Sequence, residues 1–124
     1  MMSKSIYIAG PMSGIPEFNY PAFIEAEKNI NELTDSYFDK VWNPATHDAY
    51  LEKLPEGFET GDHTAANKER SFREVFGWDV NKVVEANAIF MLKGWQYSPG
   101  AIAEHAIAVC MKKHDPDYEI YYEQ

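Results

Sequence analysis

Apolar positions along the chain fall into short β-rich runs that alternate with stretches of helical spacing. Lys4 to Ala9 alternates in the manner of a strand and ends at Gly10-Pro11-Met12-Ser13-Gly14, a run with turn chemistry. From about Pro21 to Leu33, Phe23, Ala26, Ile30 and Leu33 recur at the spacing of one helix face. Phe38 to Trp42 reads as a second strand closed by Asn43-Pro44. Ala45 to His63 reads as irregular, punctuated by Pro55, Gly57 and Gly61, with a helical turn or two near Asp48 to Leu54. Helical spacing resumes from about Thr64 to Phe76. It is expected to break at Gly77 and restart at Asp79, with Val80, Val83 and Val84 on one face. Ala88 to Leu92 is an uninterrupted apolar run, the pattern of a buried strand. A helix from Ser98 to about Lys113 and a last strand near Tyr118 to Tyr122 complete the order. This alternation predicts an α/β domain with a parallel sheet of four to five strands and helices on both faces. In such sheets ligands bind beyond the carboxyl ends of the strands, where the connection direction switches. The loops Gly10 to Gly14 and Gly94 to Gly100 both follow strands and are expected to face one crevice.

The richest stretch is Gly94-Trp95-Gln96-Tyr97-Ser98-Pro99-Gly100-Ala101-Ile102-Ala103-Glu104-His105-Ala106. Ser98 suits a helix N-cap, Pro99 the first helical position, and Gly100 permits close approach to the exposed amides of Gly100 and Ala101. Glu104 follows one turn later in an otherwise almost wholly apolar helix. A carboxylate there is costly unless it is paired, protonated or used. No Lys or Arg stands three or four positions away, so an intrahelical ion pair does not account for it. Three readings stand: a catalytic carboxylate beside an anion-binding helix end, a carboxylate paired across the fold, or one at the helix edge reaching solvent.

Composition narrows the function. With 124 residues and 45% hydrophobic positions the chain reads as one globular domain, 1–124. A formal charge of −9, with Arg70 and Arg73 the only arginines and the lysines scattered, argues against a nucleic-acid polymer as partner. A small anion bound by helix-end amides remains compatible with that charge. Cys110 is alone, which excludes a disulfide framework and a cysteine metal site, and its place in the last apolar helix predicts a buried structural thiol. His47, His63, His105 and His114 lack metal-ligand spacing, so no metal and no cofactor is expected. No signal-type segment is evident and no run approaches ~20 apolar residues. The expectation is a soluble cytoplasmic protein with no membrane partner.

The remaining candidates each have two readings. Gly10-Pro11-Met12-Ser13-Gly14 is neither a P-loop nor the dinucleotide fingerprint; it is a tight strand-to-helix connection or a ligand-contacting loop. Asp79 is an N-cap of the restarted helix or a second carboxylate supporting Glu104. Tyr7, mid-strand, is expected to pack with its hydroxyl at the margin of the core. Trp95 and Tyr97 either stack on a planar base or cover the core.

Through Ile6 to Gly14, Asn43-Pro44, Asp79 to Asn87, and Ala88 to Trp95 continuing through Ser98 to Glu104, the chain resembles the nucleoside 2-deoxyribosyltransferase superfamily. It is most similar to a phage and prophage branch. The resemblance covers nearly the whole chain apart from about Ala45 to Phe72, and it implies a single domain with a family-variable insert at about 45–72. It implies a flavodoxin-like or Rossmann-like three-layer sandwich that forms homodimers or larger homo-oligomers. It also implies a nucleophilic glutamate at Glu104 and an assisting aspartate at Asp79. Tyr7 and the Gly10 to Gly14 loop (Gly10, Pro11, Met12, Ser13, Gly14) would line the pocket. Transferases of the superfamily usually carry Asp six residues before the nucleophile, whereas this chain has Ser98. Serine there is similar to the deoxynucleoside 5′-monophosphate N-glycosidases, in which it contacts the 5′-phosphate. The implied substrate is therefore a deoxynucleoside or, more closely, a deoxynucleotide, and the implied chemistry tilts toward hydrolysis.

Overall fold

The computed structural model describes residues 4–33, 37–49 and 72–124. In chain order the elements are β1 (Ser5–Ala9), α1 (Tyr20–Leu33), β2 (Lys40–Trp42), α2 (Pro44–Ala49), α3 (Phe72–Glu85), β3 (Ala88–Met91), α4 (Pro99–His114) and β4 (Glu119–Tyr122). Among the described residues the strands form one four-stranded sheet in the order β2-β1-β3-β4, with every neighbouring pair parallel. The chain passes from β1 outward to β2, then crosses back over β1 to β3 and on to β4. The direction of winding thus reverses between β1 and β3. This is the doubly wound α/β arrangement, flavodoxin-like in its order.

The two-residue period of β1 explains how the layers are built. Ile6 and Ile8 point to one face, where Phe23, Ala26 and Ile30 of α1 pack with Phe38 and Leu92. Tyr7 and Ala9 point to the other, where Val83 of α3 and Ala101 and Ala108 of α4 pack with Ile89 and Met91. Tyr7 is therefore presented to the α3 and α4 layer from the centre of the sheet. Trp42, in register with Tyr7 on the neighbouring strand, shares that face.

Four expectations need correction. Helix α3 runs unbroken through Gly77. A glycine inside a helix costs only ~1 kcal/mol relative to Ala, and burial of Val83 with packing of Phe76 against Gly100 anchors the helix on both sides of it. Asp79 consequently lies in mid-helix and is not an N-cap. The segment after Asn43 is not irregular from its start, because Asn43 accepts from the Ala45 amide at 2.9 Å and Pro44 opens α2. Finally, Cys110 is exposed. The stripe of α4 that reaches the sheet is Ala101, Glu104 and Ala108, and Cys110 lies off it on a helix whose outer side is apolar as well. The expected helix from Thr64 to Ser71 and the turns from Tyr50 to Leu54 lie outside the described residues.

Candidate functional site

Adjacent parallel strands β1 and β3 bring their carboxyl ends together, and with them the two loops. The Leu92 amide donates to the Ala9 carbonyl at 2.8 Å. A Cβ built on Gly94 would sit 3.5 Å from the Pro11 ring. The loops of Gly10 to Gly14 and Gly94 to Gly100 thus share one edge of the sheet, at the winding reversal.

Within the first loop the residues divide by role. Gly10 is a packing requirement, since a Cβ there would lie 2.7 Å from the Cβ of Leu92. Gly10→Ala is expected to cost about 1–3 kcal/mol through overpacking against a fully buried leucine, read as a lower denaturant midpoint at unchanged m-value. Pro11 accepts at its carbonyl from the Asn19 side-chain amide at 3.0 Å. Asn19 reaches it because Glu17, Phe18 and Asn19 take three successive left-handed conformations, with φ of 59°, 49° and 61°. Such a turn is costly for residues with a Cβ, and burial of Phe18 in the α1-side core offsets it. Met12 packs partly on that core, while Ser13 and Gly14 are exposed. The left-handed φ of 81° at Gly14 meets open space.

The second loop delivers α4 as its sequence predicts. Ser98 is the N-cap, with its hydroxyl oxygen accepting from the Ala101 amide at 3.2 Å, and Pro99 follows at the first position. Two consequences refine the expected anion site. The Ala101 amide is committed to the cap and its methyl is buried in the core. What the helix end retains is the Gly100 amide and the proton of the Ser98 hydroxyl, which is not used in accepting. Trp95 is half-buried and stacks on His105 with ring centroids 4.2 Å apart, so it covers the core. Tyr97 covers nothing, being 89% exposed.

One turn into α4, Glu104 is only 5% exposed. The Tyr7 hydroxyl donates to its Oε2 at 2.7 Å, across 97 residues of chain. Tyr7 is itself buried, so its hydroxyl sits at the heart of the layer rather than at the margin. No cation among the described residues forms an ion pair with Glu104. Burial pushes its carboxyl up to about 7, against which the Tyr7 hydrogen bond pulls down by favouring the ionised form. Asp79, facing the sheet from α3, joins the same group. Burial first, then the negative charges of Glu104 and Asp79 and hydrogen bonds to both, hold the Tyr7 phenol well above its ordinary range. The structure therefore brings Tyr7, Asp79 and Glu104 into one cluster, with a phenol between two carboxyl groups. Tyr7 as the hub of that cluster is what sequence reasoning missed. A tyrosine amid Ile6 and Ile8 marks the position, but nothing local marks its partners.

These features define a doubly wound α/β protein in which a buried phenol stands between a buried carboxyl group and a partly buried one, beside the carboxyl ends of its central strands. The chain belongs to the family described as a domain of unknown function, DUF4406, whose model matches residues 4–114. No curated protein and no solved structure matches it. No described helix is long and apolar enough to cross a membrane.

Proposed function

We propose that the protein cleaves the N-glycosidic bond of a 2′-deoxynucleoside 5′-monophosphate through a covalent deoxyribosyl-Glu104 intermediate, as a member of the nucleoside 2-deoxyribosyltransferase superfamily. The observation that carries this reading is the buried Glu104 carboxyl, held by the Tyr7 hydroxyl at 2.7 Å with Asp79 on the same phenol. A carboxyl kept from solvent and, among the described residues, from cations, poised near 7, is a nucleophile whose ionised form the Tyr7 hydrogen bond stabilises. Two carboxyl groups in unlike surroundings, Glu104 buried and Asp79 partly so, can divide nucleophile and acid duties.

In the first step the Glu104 carboxylate forms a bond to the anomeric carbon as the bond from that carbon to the base nitrogen breaks. The departing base takes a proton supplied through Asp79. In the second step water attacks the same carbon, the ester to Glu104 breaks, and the proton from water restores Asp79. Free base and deoxyribose 5-phosphate are the products. The phosphate would rest on the Ser98 hydroxyl and the Gly100 amide, which fixes the sugar relative to Glu104. The reaction written this way calls for no metal or cofactor. The partner is thus a small deoxynucleotide rather than a nucleic-acid polymer, and the superfamily likeness also carries a homo-oligomeric assembly.

The test is to incubate the protein with each deoxynucleoside and its 5′-monophosphate, with and without a free acceptor base, and to separate the bases by chromatography. Release of base without acceptor is the expected result. Exchange only with acceptor would mark base transfer instead, and binding without turnover a nucleotide-binding module. Tyr7→Phe is expected to move the acid limb of the pH–rate profile above its wild-type position, because the hydrogen bond that favours ionised Glu104 is gone. At neutral pH the rate should fall ~10–100-fold.

A further inference from the structure

Among the described residues, Nε1 of Trp42 is the one buried side-chain nitrogen or oxygen left without a hydrogen-bond partner. Buried donors are nearly always paired, and an exception calls for a physical reason. The groups laid against the indole do not satisfy it. Trp78 meets the ring edge-on, with centroids 6.3 Å apart at 79°. The ammonium groups of Lys40 and Lys82 stand 4.8 and 4.2 Å from the ring centroid. An indole and two ammonium groups bring donors but no hydrogen-bond acceptor. The Glu85 carboxylate beside them is taken up by Lys82 at 3.1 Å.

Position points to what this donor is kept for. Trp42 closes β2 at its carboxyl end, the ligand side of a doubly wound sheet. It is in register with Tyr7 and turned to the same face, one strand spacing of ~4.8 Å away. Trp78, its ring partner, directly precedes Asp79 on α3. Helix α4, which carries Glu104, packs on β3 and β4 more than on β1, and so lies to the other side of Tyr7. Glu104, then Tyr7 with Asp79, then Trp42 follow one another across the sheet. With the sugar at Glu104 and the base departing past Asp79, the next group in that direction is the Trp42 indole. Beside the glycosidic nitrogen, pyrimidines carry O2 and purines N3, both acceptors. Negative charge gathers on the base as the glycosidic bond breaks, which favours a donor fixed in advance. The two ammonium groups over the indole draw on its π-electrons and strengthen its N–H as that donor. Tyr7 and Glu104 are buried as well, so one opening of this face would admit sugar and base together.

We propose that the Trp42 indole N–H donates to the acceptor next to the glycosidic nitrogen of the bound base, O2 or N3, and stabilises the base as it leaves. The proposal rests on the nucleotide reading above and adds a base contact to it. The probes are 2′-deoxyadenosine 5′-monophosphate and its 3-deaza analogue, in which C–H replaces N3. On Glu104→Gln, where no ester forms, calorimetry should show the natural nucleotide bound ~10-fold more tightly than the analogue. The double variant W42F/E104Q should hold the two alike. Independently, in Glu104→Gln labelled with nitrogen-15 at the indoles, the Trp42 N–H proton should move downfield with the natural nucleotide and not with the analogue. W78F and W95F identify the other two indole signals, so this readout decides alone should W42F fail to fold. Equal affinities on Glu104→Gln, a preference that persists in W42F/E104Q, or a Trp42 proton indifferent to N3 would overturn the proposal, as would failure of both nucleotides to bind. Base release by the parent protein is scored separately. The Trp42 preference without any release would remove the cleavage reading and leave this contact, whereas release without the preference would do the reverse.

Discussion

Glu104→Gln is expected to lower the rate of base release from a deoxynucleoside 5′-monophosphate by at least ~10³-fold, the scale on which enzymes lose activity when the nucleophile is removed. The substitution preserves volume, and the amide oxygen can still accept from the Tyr7 hydroxyl, so the packing of Ala101, Glu104 and Ala108 on the sheet should survive. What disappears is the oxygen proposed to form the ester. The loss should therefore fall on kcat, with nucleotide binding nearly unchanged, since the phosphate contacts assigned to Ser98 and Gly100 are untouched. A residual rate equal to that of the parent protein would remove Glu104 from the chemistry. Single-turnover release of base, followed beside equilibrium binding, separates the two effects.

The same variant should be more stable than the parent protein above neutral pH, and this is the second large effect. In the unfolded chain the Glu104 carboxyl titrates near its ordinary 4.5, whereas burial raises it to about 7 in the fold. The folded state therefore holds a proton that the unfolded state has released between those values. Stability contributed by the protonated group is present in full below the lower value and declines as pH rises through the upper one. The difference amounts to about 3 kcal/mol once both states are ionised. Gln carries no such titration. Subtracting the denaturant-derived stability of Glu104→Gln from that of the parent protein, pH by pH, cancels the other carboxylates. The difference should be flat below pH 4.5 and slope against the parent protein up to about pH 8. A flat difference throughout would mean that the carboxyl is not held from water in the way its burial implies.

Strands and the last helix were legible in the sequence because their signals are local. Ala88 to Met91 is an apolar run of strand length, and Ser98-Pro99 carries both a cap and a first-turn residue, so α4 begins where the residues say it should. The paired carboxyl groups were legible as types, an acid stranded in an apolar helix and a second on the preceding one. Their meeting point was not, because the Tyr7 to Glu104 bond joins residues 97 apart, and only the alternation of β1 across two core layers decides that Tyr7 faces α4. Local rules failed where tertiary packing outweighs them. Gly77 looks like a breaker, yet burial of Val83 with contacts of Phe76 carries α3 through it. Asn43-Pro44 was read as the end of a strand, although the same two residues are a cap and first position and open α2. Cys110 shows the converse error: an apolar neighbourhood in sequence does not imply burial when a helix is apolar on its outer side too.

The nucleophile assignment is tested most directly by trapping the ester itself. Protein mixed with a deoxynucleoside 5′-monophosphate, quenched in acid and digested, should yield one peptide heavier by a deoxyribose 5-phosphate group, with the modification on Glu104 and absent from Glu104→Gln. Base released at the parental rate by Glu104→Gln, or a modification carried on a different residue, would contradict it.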